Sequence, residues 1–253
     1  MDTKKLTPGV IIGVAVIAVV AYFAWRTTSQ PAPAANQTMT VSTPSAEAIE
    51  QACTDAGYDG DFCKFLHKQS LVTKVAIQTL GNSQGSELKS TIMIDGSRSW
   101  LKAEGAINYE IISDNGTTYT KGGDTWWQSA TATEQPLKID EFTFKTPSPE
   151  ALAAKSVTYE KQSQEDCQDR QCLKFAVTDP AAGTAPTFIW FDTQDYLMRK
   201  SRVDNNGAFN EQTFSYDNVT IPTPDPVKQL TENQYIVPGQ SEPVEAPASN
   251  PTQ

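Results

Sequence analysis

The sequence predicts an α+β fold, mainly antiparallel β, with short packing helices and one transmembrane helix ahead of it. Three observations carry that expectation. Leu6 to Trp25 runs without a charged residue. From Leu71 onward, apolar residues alternate with polar ones at a period of two, broken by hairpin-type turns. Four cysteines form two local pairs, Cys53 with Cys63 and Cys167 with Cys172, as disulfides do in an oxidising compartment.

The apolar run comes first. At 1.5 Å rise per residue, a helix of this length spans roughly 30 Å, one bilayer core. Lys4 and Lys5 precede it and only Arg26 follows, so residues 1–5 are expected in the cytoplasm and the rest outside. Tyr22 and Trp25 fall where an aromatic interface belt belongs. A cleaved signal peptide has a shorter apolar region and small residues at its exit; here the exit is Tyr22, Phe23, Trp25 and Arg26. The expectation is therefore a retained anchor at 6–25, a single-pass cell-membrane protein and an extracytoplasmic main domain. No cysteine follows the run until Cys53, which argues against a lipoprotein.

The chain has 253 residues, and without anchor and tails it leaves one domain large enough for a full core. Setting aside Asp2, Lys4, Lys5 and Arg26, the outer part carries 17 basic and 29 acidic residues, a net −12. That balance argues against nucleic acid and against docking on anionic headgroups, which reward basic patches. Local pairing is chosen from the three connectivities that four cysteines allow, and a loop of about ten residues closed this way contributes about 3 kcal/mol in the chain-entropy model. Zinc is disfavoured, because the first spacing is too long and His67 is the only histidine.

Residues 26–44, which include SQPAPAANQTMTVSTP, read as a tether. The main domain is expected over 45–226. Ser45 caps a helix from Ala46 to Ala56, ended by Gly57; Asp61 caps a second from Phe62 to Gln69. Their apolar sides hold Ile49, Cys53, Phe62, Phe65 and Leu66. Val75 and Ile77, then Ile92 and Ile94, lie on strands. Asp95-Gly96 turns into Arg98 to Lys102, and Ile107, Tyr109 and Ile111 alternate next. Asn115-Gly116 leads into Thr117 to Lys121, and Gly122-Gly123-Asp124 into Thr125 to Gln128. Pro147-Ser148-Pro149-Glu150 suits the start of a short helix running through Ala154. Strands follow at Val157 to Gln162, Leu173 to Val177, Thr187 to Phe191, Tyr196 to Val203 and Phe209 to Ile221, with Ser163 to Gln171 a polar loop. Residues 227–253 are proline-rich and poor in apolar residues, the composition of a structureless tail.

A strand ending Trp190-Phe191-Asp192, a short turn and a strand opening Tyr196-Leu197-Met198-Arg199-Lys200 resemble the late hairpin of the LolA/LolB/LppX-like lipoprotein-carrier superfamily. Phe214-Ser215-Tyr216-Asp217-Asn218-Val219 and the exit at Pro222 and Pro224 are similar too, as are the hairpins at Ile94-Asp95-Gly96 and Gly123-Asp124-Thr125-Trp126-Trp127. The likeness covers about Leu71 to Pro226. It implies a sheet curved into an open half-barrel, with helices at its mouth and a cavity for a lipid, a lipoprotein acyl chain or another apolar molecule. Candidate lining residues are Ile92, Ile94, Trp100, Ile111, Trp127, Trp190 and Phe214. The anchor, the cysteine pairs and the tails depart from the periplasmic chaperone, and a tethered protein cannot shuttle.

Other chemistry is poorly represented. His67 has no nucleophile motif beside it, and Glu165, Asp166 and Asp169 lack the spacing of a calcium loop. No phosphate loop, dinucleotide fingerprint, HExxH or GxSxG occurs, so neither an enzyme nor a bound cofactor or metal is expected. Glycosylation sequons at Asn36, Asn115 and Asn218 matter only in a host that uses them. The alternative to a ligand carrier is an envelope interaction module built on the same β scaffold. Trp126-Trp127 bears on both, since neighbours in a strand face opposite ways and both rings need cover.

Overall fold

The structure is a computed structural model that describes residues 44–245, except 84–85, 106–107, 130–136, 138, 181–186 and 206–207. The expected anchor at Leu6 to Trp25 and most of the tether lie outside the described residues, as does Ile107. Among the described residues no helix is long and apolar enough to cross a membrane.

Helix α1 (Ala46–Asp55) begins where Ser45 Oγ accepts from the Ala48 N–H at 3.2 Å. Helix α2 (Gly60–Ser70) starts earlier than expected, because Asp59 and not Asp61 is its cap; Asp59 Oδ1 accepts from the Asp61 N–H at 2.9 Å. A short turn of helix, α3 (Ile139–Phe142), is followed by α4 (Pro149–Ala154). Ser148 caps α4, proline stands at its start, and Lys155 ends it in the left-handed region at φ 50°.

Among the described residues twelve strands form one open sheet. In chain order they are β1 (Lys74–Ser83), β2 (Ser86–Asp95), β3 (Arg98–Glu104), β4 (Tyr109–Asp114), β5 (Thr117–Gly122), β6 (Thr125–Gln128), β7 (Thr158–Cys167), β8 (Arg170–Thr178), β9 (Thr187–Asp192), β10 (Met198–Asn205), β11 (Ala208–Ser215) and β12 (Val227–Gln229). Across the sheet the order is β12-β6-β5-β4-β3-β2-β1-β11-β10-β9-β8-β7. Every pairing is antiparallel except that of β12 with β6. The two halves of the meander meet where β1 pairs with β11, Ile77 opposite Phe214. Turn chemistry follows the sequence at Asn115-Gly116, where both residues have positive φ, 48° and 83°. A small second pair, β13 (Gln234–Tyr235) with β14 (Val244–Glu245), lies in the C-terminal segment.

Three expectations are corrected. Ser163 to Gln171 is not a loop: β7 runs on to Cys167 and turns at Gln168-Asp169 into β8, polar because β7 is the free edge of the sheet. The final strand ends at Ser215, and Ile221 is instead buried against Ile112 and Trp126. Nor are residues 227–245 structureless. Val227 to Gln229 pair with β6, and Leu230 and Ile236 are buried against Trp127. An edge strand with unpaired backbone groups supplied the partner that composition did not show.

Both disulfides join the local pairs. Cys53–Cys63 ties α1 to α2 with Cα atoms 5.5 Å apart, and Cys167–Cys172 spans the β7–β8 hairpin at 5.8 Å. The main core lies between α1–α2 and one face of the sheet, with Ile49, Phe62, Phe65 and Leu66 from the helices. Val75, Ile77, Ile94, Phe175, Phe191 and Phe214 meet them from the strands.

Candidate functional site

Register assigns every strand residue to the helix-bearing face or to the outer face, because partners share a face and neighbours alternate. On the helix-bearing face, Val75, Ile94, Ser99, Ser113 and Thr118 form one row across β1 to β5. Ile77, Ile92, Leu101, Ile111, Thr120 and Trp127 form the next, across β1 to β6. In the other half the same face holds Phe214, Ser201, Ile189 and Phe175.

From β8 across to β6, no described strand residue on this face is charged, apart from Arg199 at the β10 bulge. The charges are on the outer face: Lys89, Lys102, Glu110 and Lys121 in one half, Lys174, Lys200, Arg202 and Glu211 in the other. Charge returns to the helix-bearing face at the edge strand β7. There Lys161 Nζ meets Asp61 Oδ2 at 2.9 Å and Asp59 Oδ2 at 3.5 Å, both at the start of α2. The Lys161 hydrogen bond holds the Asp61 carboxyl below its usual range, against the opposing effect of burial.

Under the helices the space is filled by aromatic rings. Phe65 stacks on Phe191 with centroids 4.7 Å apart, and Phe62 on Tyr159 at 4.3 Å. Phe144 meets Phe65 edge-on at 5.1 Å. Burial raises the Tyr159 hydroxyl above its ordinary pKa. The helix pair is fastened by polar contacts at its rim. Tyr58 Oη donates to the Val157 carbonyl at 3.1 Å, and Lys64 Nζ to Tyr196 Oη at 3.4 Å. His67, expected on the surface, is half-buried and pairs with Glu50 of α1. Away from the helices, Thr79, Ser90, Ala103 and Thr187 on the same face are half-buried, and Leu88 and Val203 are exposed.

Two hollows among the described residues are open and polar. One, of about 630 Å³, is bordered by Asp61, Lys161, Gln164 and Tyr196. The other, of about 590 Å³, is bordered by Asp166, Asp169, Arg170 and Asp192.

Of the seven expected lining residues, five share the helix-bearing face. Ile92, Ile94 and Phe214 are in the main core, packed with the helices; Ile111 is half-buried; and Trp127 lies apart with Leu230 and Ile236. Trp100 and Trp190 are on the outer face, which corrects their expected placement. Trp100 Nε1 donates to Glu110 Oε1 at 2.9 Å. Trp190 Nε1 donates to Glu165 Oε1 at 2.8 Å, and Lys174 and Lys200 each lie 5.0 Å from its ring. Trp126 and Trp127, on opposite faces, are 4% and 8% exposed. Among the described residues no helix packs in their clusters; Ile221 covers one and Leu230 with Ile236 the other.

The hairpin that carries the family resemblance is locked by a buried ion cluster. Arg170 Nη1 donates to Asp192 Oδ2 at 2.7 Å, the Gln194 N–H to Asp192 Oδ1 at 2.7 Å, and Arg199 pairs with Asp195. Asp192 is 1% exposed and Arg199 4%. Burial pushes the Asp192 carboxyl up, but the Gln194 N–H and the two guanidiniums outweigh it and hold it below the usual carboxylate range. A carboxyl lowered by folding contributes stability that is present above its unfolded value of about 3.9 and lost as pH falls through the folded one. Asp192→Asn is accordingly expected to flatten the fall in stability below about pH 4, as read from urea midpoints across pH; an unchanged slope would place the acid sensitivity elsewhere.

No protein-family model matches the sequence, and no curated protein does. Among solved structures the chain is similar to LprF from Mycobacterium bovis, at 15% identity over 72% of this chain and 99% of LprF, with a TM-score of 0.43. It is similar to lipoprotein LppX from Mycobacterium tuberculosis at 13% identity over 70% of this chain and 99% of that one, with a TM-score of 0.40. MucB follows at 13% identity, 66% of this chain and 61% of MucB, with a TM-score of 0.41.

Proposed function

We propose that this chain is a membrane-anchored extracytoplasmic binding protein. It holds an apolar ligand, a lipid or a lipoprotein acyl chain, in a half-barrel on the helix-bearing face of its sheet. One observation carries the reading: the charge segregation, in which the helix-bearing face from β8 to β6 holds no charged strand residue among the described residues outside the Arg199 bulge. That face includes half-buried and exposed positions away from the helices, where a face meeting only water tolerates lysine and glutamate freely. Sites for apolar ligands are built from apolar lining with a few polar groups. The helix pair, tied by Cys53–Cys63 and fastened at its rim by Lys161, Lys64 and Tyr58, is the element that moves to admit a chain. The late-hairpin resemblance implies the same use. The anchor at Leu6 to Trp25 keeps the domain at one membrane.

A second reading, an envelope interaction module with no ligand cavity, is favoured by the aromatic filling beneath α1 and α2. Native mass spectrometry with lipid extraction separates the two. The sample is residues 44–253, which form a compact unit by themselves, purified with disulfides intact. Co-purified lipid or acylated peptide is expected. A clean apo mass, with no uptake of a fluorescent fatty acid, would leave the interaction module standing alone.

A further inference from the structure

Ser113 and Thr118 face each other across β4 and β5 on the charge-free face, each 5% exposed. Neither hydroxyl has a hydrogen-bond partner among the described residues. Ser99, 1% exposed, extends the row on β3. Directly opposed Ser and Thr side chains on adjacent strands commonly bond to each other, and a buried hydroxyl left unpaired is a net cost to the fold. Alanine and valine would fill the same space without that cost. Next to this polar row, Leu101 and Ile111 are half-buried and apolar. The face thus sets two unpaired hydroxyls beside a hydrocarbon strip, with no charge near them on the same face.

We infer that Ser113 and Thr118 bind the polar head of the ligand, a neutral hydrogen-bonding group such as an ester carbonyl or a free hydroxyl. The hydrocarbon chain lies along Leu101 and Ile111. The inference rests on the carrier reading above and narrows it, from any apolar molecule to a neutral lipid with an ester or hydroxyl head. An anionic head is disfavoured, since no cation on this face between β2 and β6 would meet it.

The test compares residues 44–253 with the double variant Ser113→Ala, Thr118→Val, using two competitors for a fluorescent fatty-acid probe: a diacylglycerol and an alkane of equal chain length. A neutral hydrogen bond is worth about fivefold in affinity, so the wild type is expected to prefer the diacylglycerol by roughly tenfold or more and the variant to lose that preference. The variant should melt no lower than the wild type, because two unpaired groups have been replaced by apolar ones of similar shape. A preference retained by the variant would overturn the head-group site and leave the carrier reading intact. Binding of neither competitor by the wild type would overturn both. A lower melting temperature with equal weakening for both competitors would assign the hydroxyls to the fold, through bound water, and overturn the inference as well.

Discussion

A chain ended after Pro226 is expected to be less stable by about 3–6 kcal/mol, because Leu230 and Ile236 each contribute about 1.5–3 kcal/mol on burial. Both side chains are buried against Trp127, and none of the three is packed in the main core. The truncation also strips the ladder that closes the β6 edge, where Val227 to Gln229 pair with Trp126 to Gln128 and the Leu230 N–H donates to the Gln128 carbonyl at 2.9 Å. Against a typical domain stability of about 5–15 kcal/mol, that loss is large. Denaturant midpoints read the energy, and tryptophan emission reads the mechanism, since exposure of Trp127 shifts it to longer wavelength. An unchanged midpoint would return residues 227–245 to the passive tail that their composition suggests. A fragment for ligand work must therefore extend past Glu245.

Phe65→Ala is the second large effect, expected to cost about 3–5 kcal/mol, the range for truncating a fully buried phenyl. Phe65 is wholly buried between α2 and the sheet, stacked on Phe191 and edge-on to Phe144. The cavity it leaves is apolar and stays dry. The rim contact is different in kind: Asp61 and Lys161 are partly exposed, and such surface pairs contribute about 0–1 kcal/mol. A carrier whose helices lift from the sheet needs this inequality, with strong apolar closure and a weak polar latch. Urea unfolding of Phe65→Ala gives the stability. Uptake of the fatty-acid probe is expected to rise in the same variant, because loss of the ring weakens the contact between α2 and the sheet that has to open to admit a chain. A loss of stability without any gain in uptake would favour the interaction module.

The legible parts of this chain were those set by neighbours in sequence. Ser45 caps a helix because its hydroxyl reaches the amide three residues on. Asn115-Gly116 turns because both residues tolerate positive φ. The cysteine pairs are close in sequence and close in space. Parity along a two-residue hairpin is carried by the sequence, but the expected placement of Trp100 did not follow it. Gly96-Ser97 sets odd-numbered residues of β3 beside Ile92, so Leu101, and not the expected Trp100, belongs with it. Trp190 could not be sorted this way, because a bulge between Met198 and Lys200 breaks the count.

Sequence alone determined the charge-free run at Leu6 to Trp25, the disulfide-bearing helix pair and the antiparallel meander, because each follows from local periodicity and turn chemistry. Only tertiary structure decided that the proline-rich segment is a strand and a cover. Leu230 and Ile236 follow no period, and their burial depends on an unpaired β6 edge and an uncovered Trp127 a hundred residues away. Tertiary structure likewise decided that Ser113 and Thr118 meet, buried and unpaired, since pairing across strands is a property of register and cover rather than of either residue.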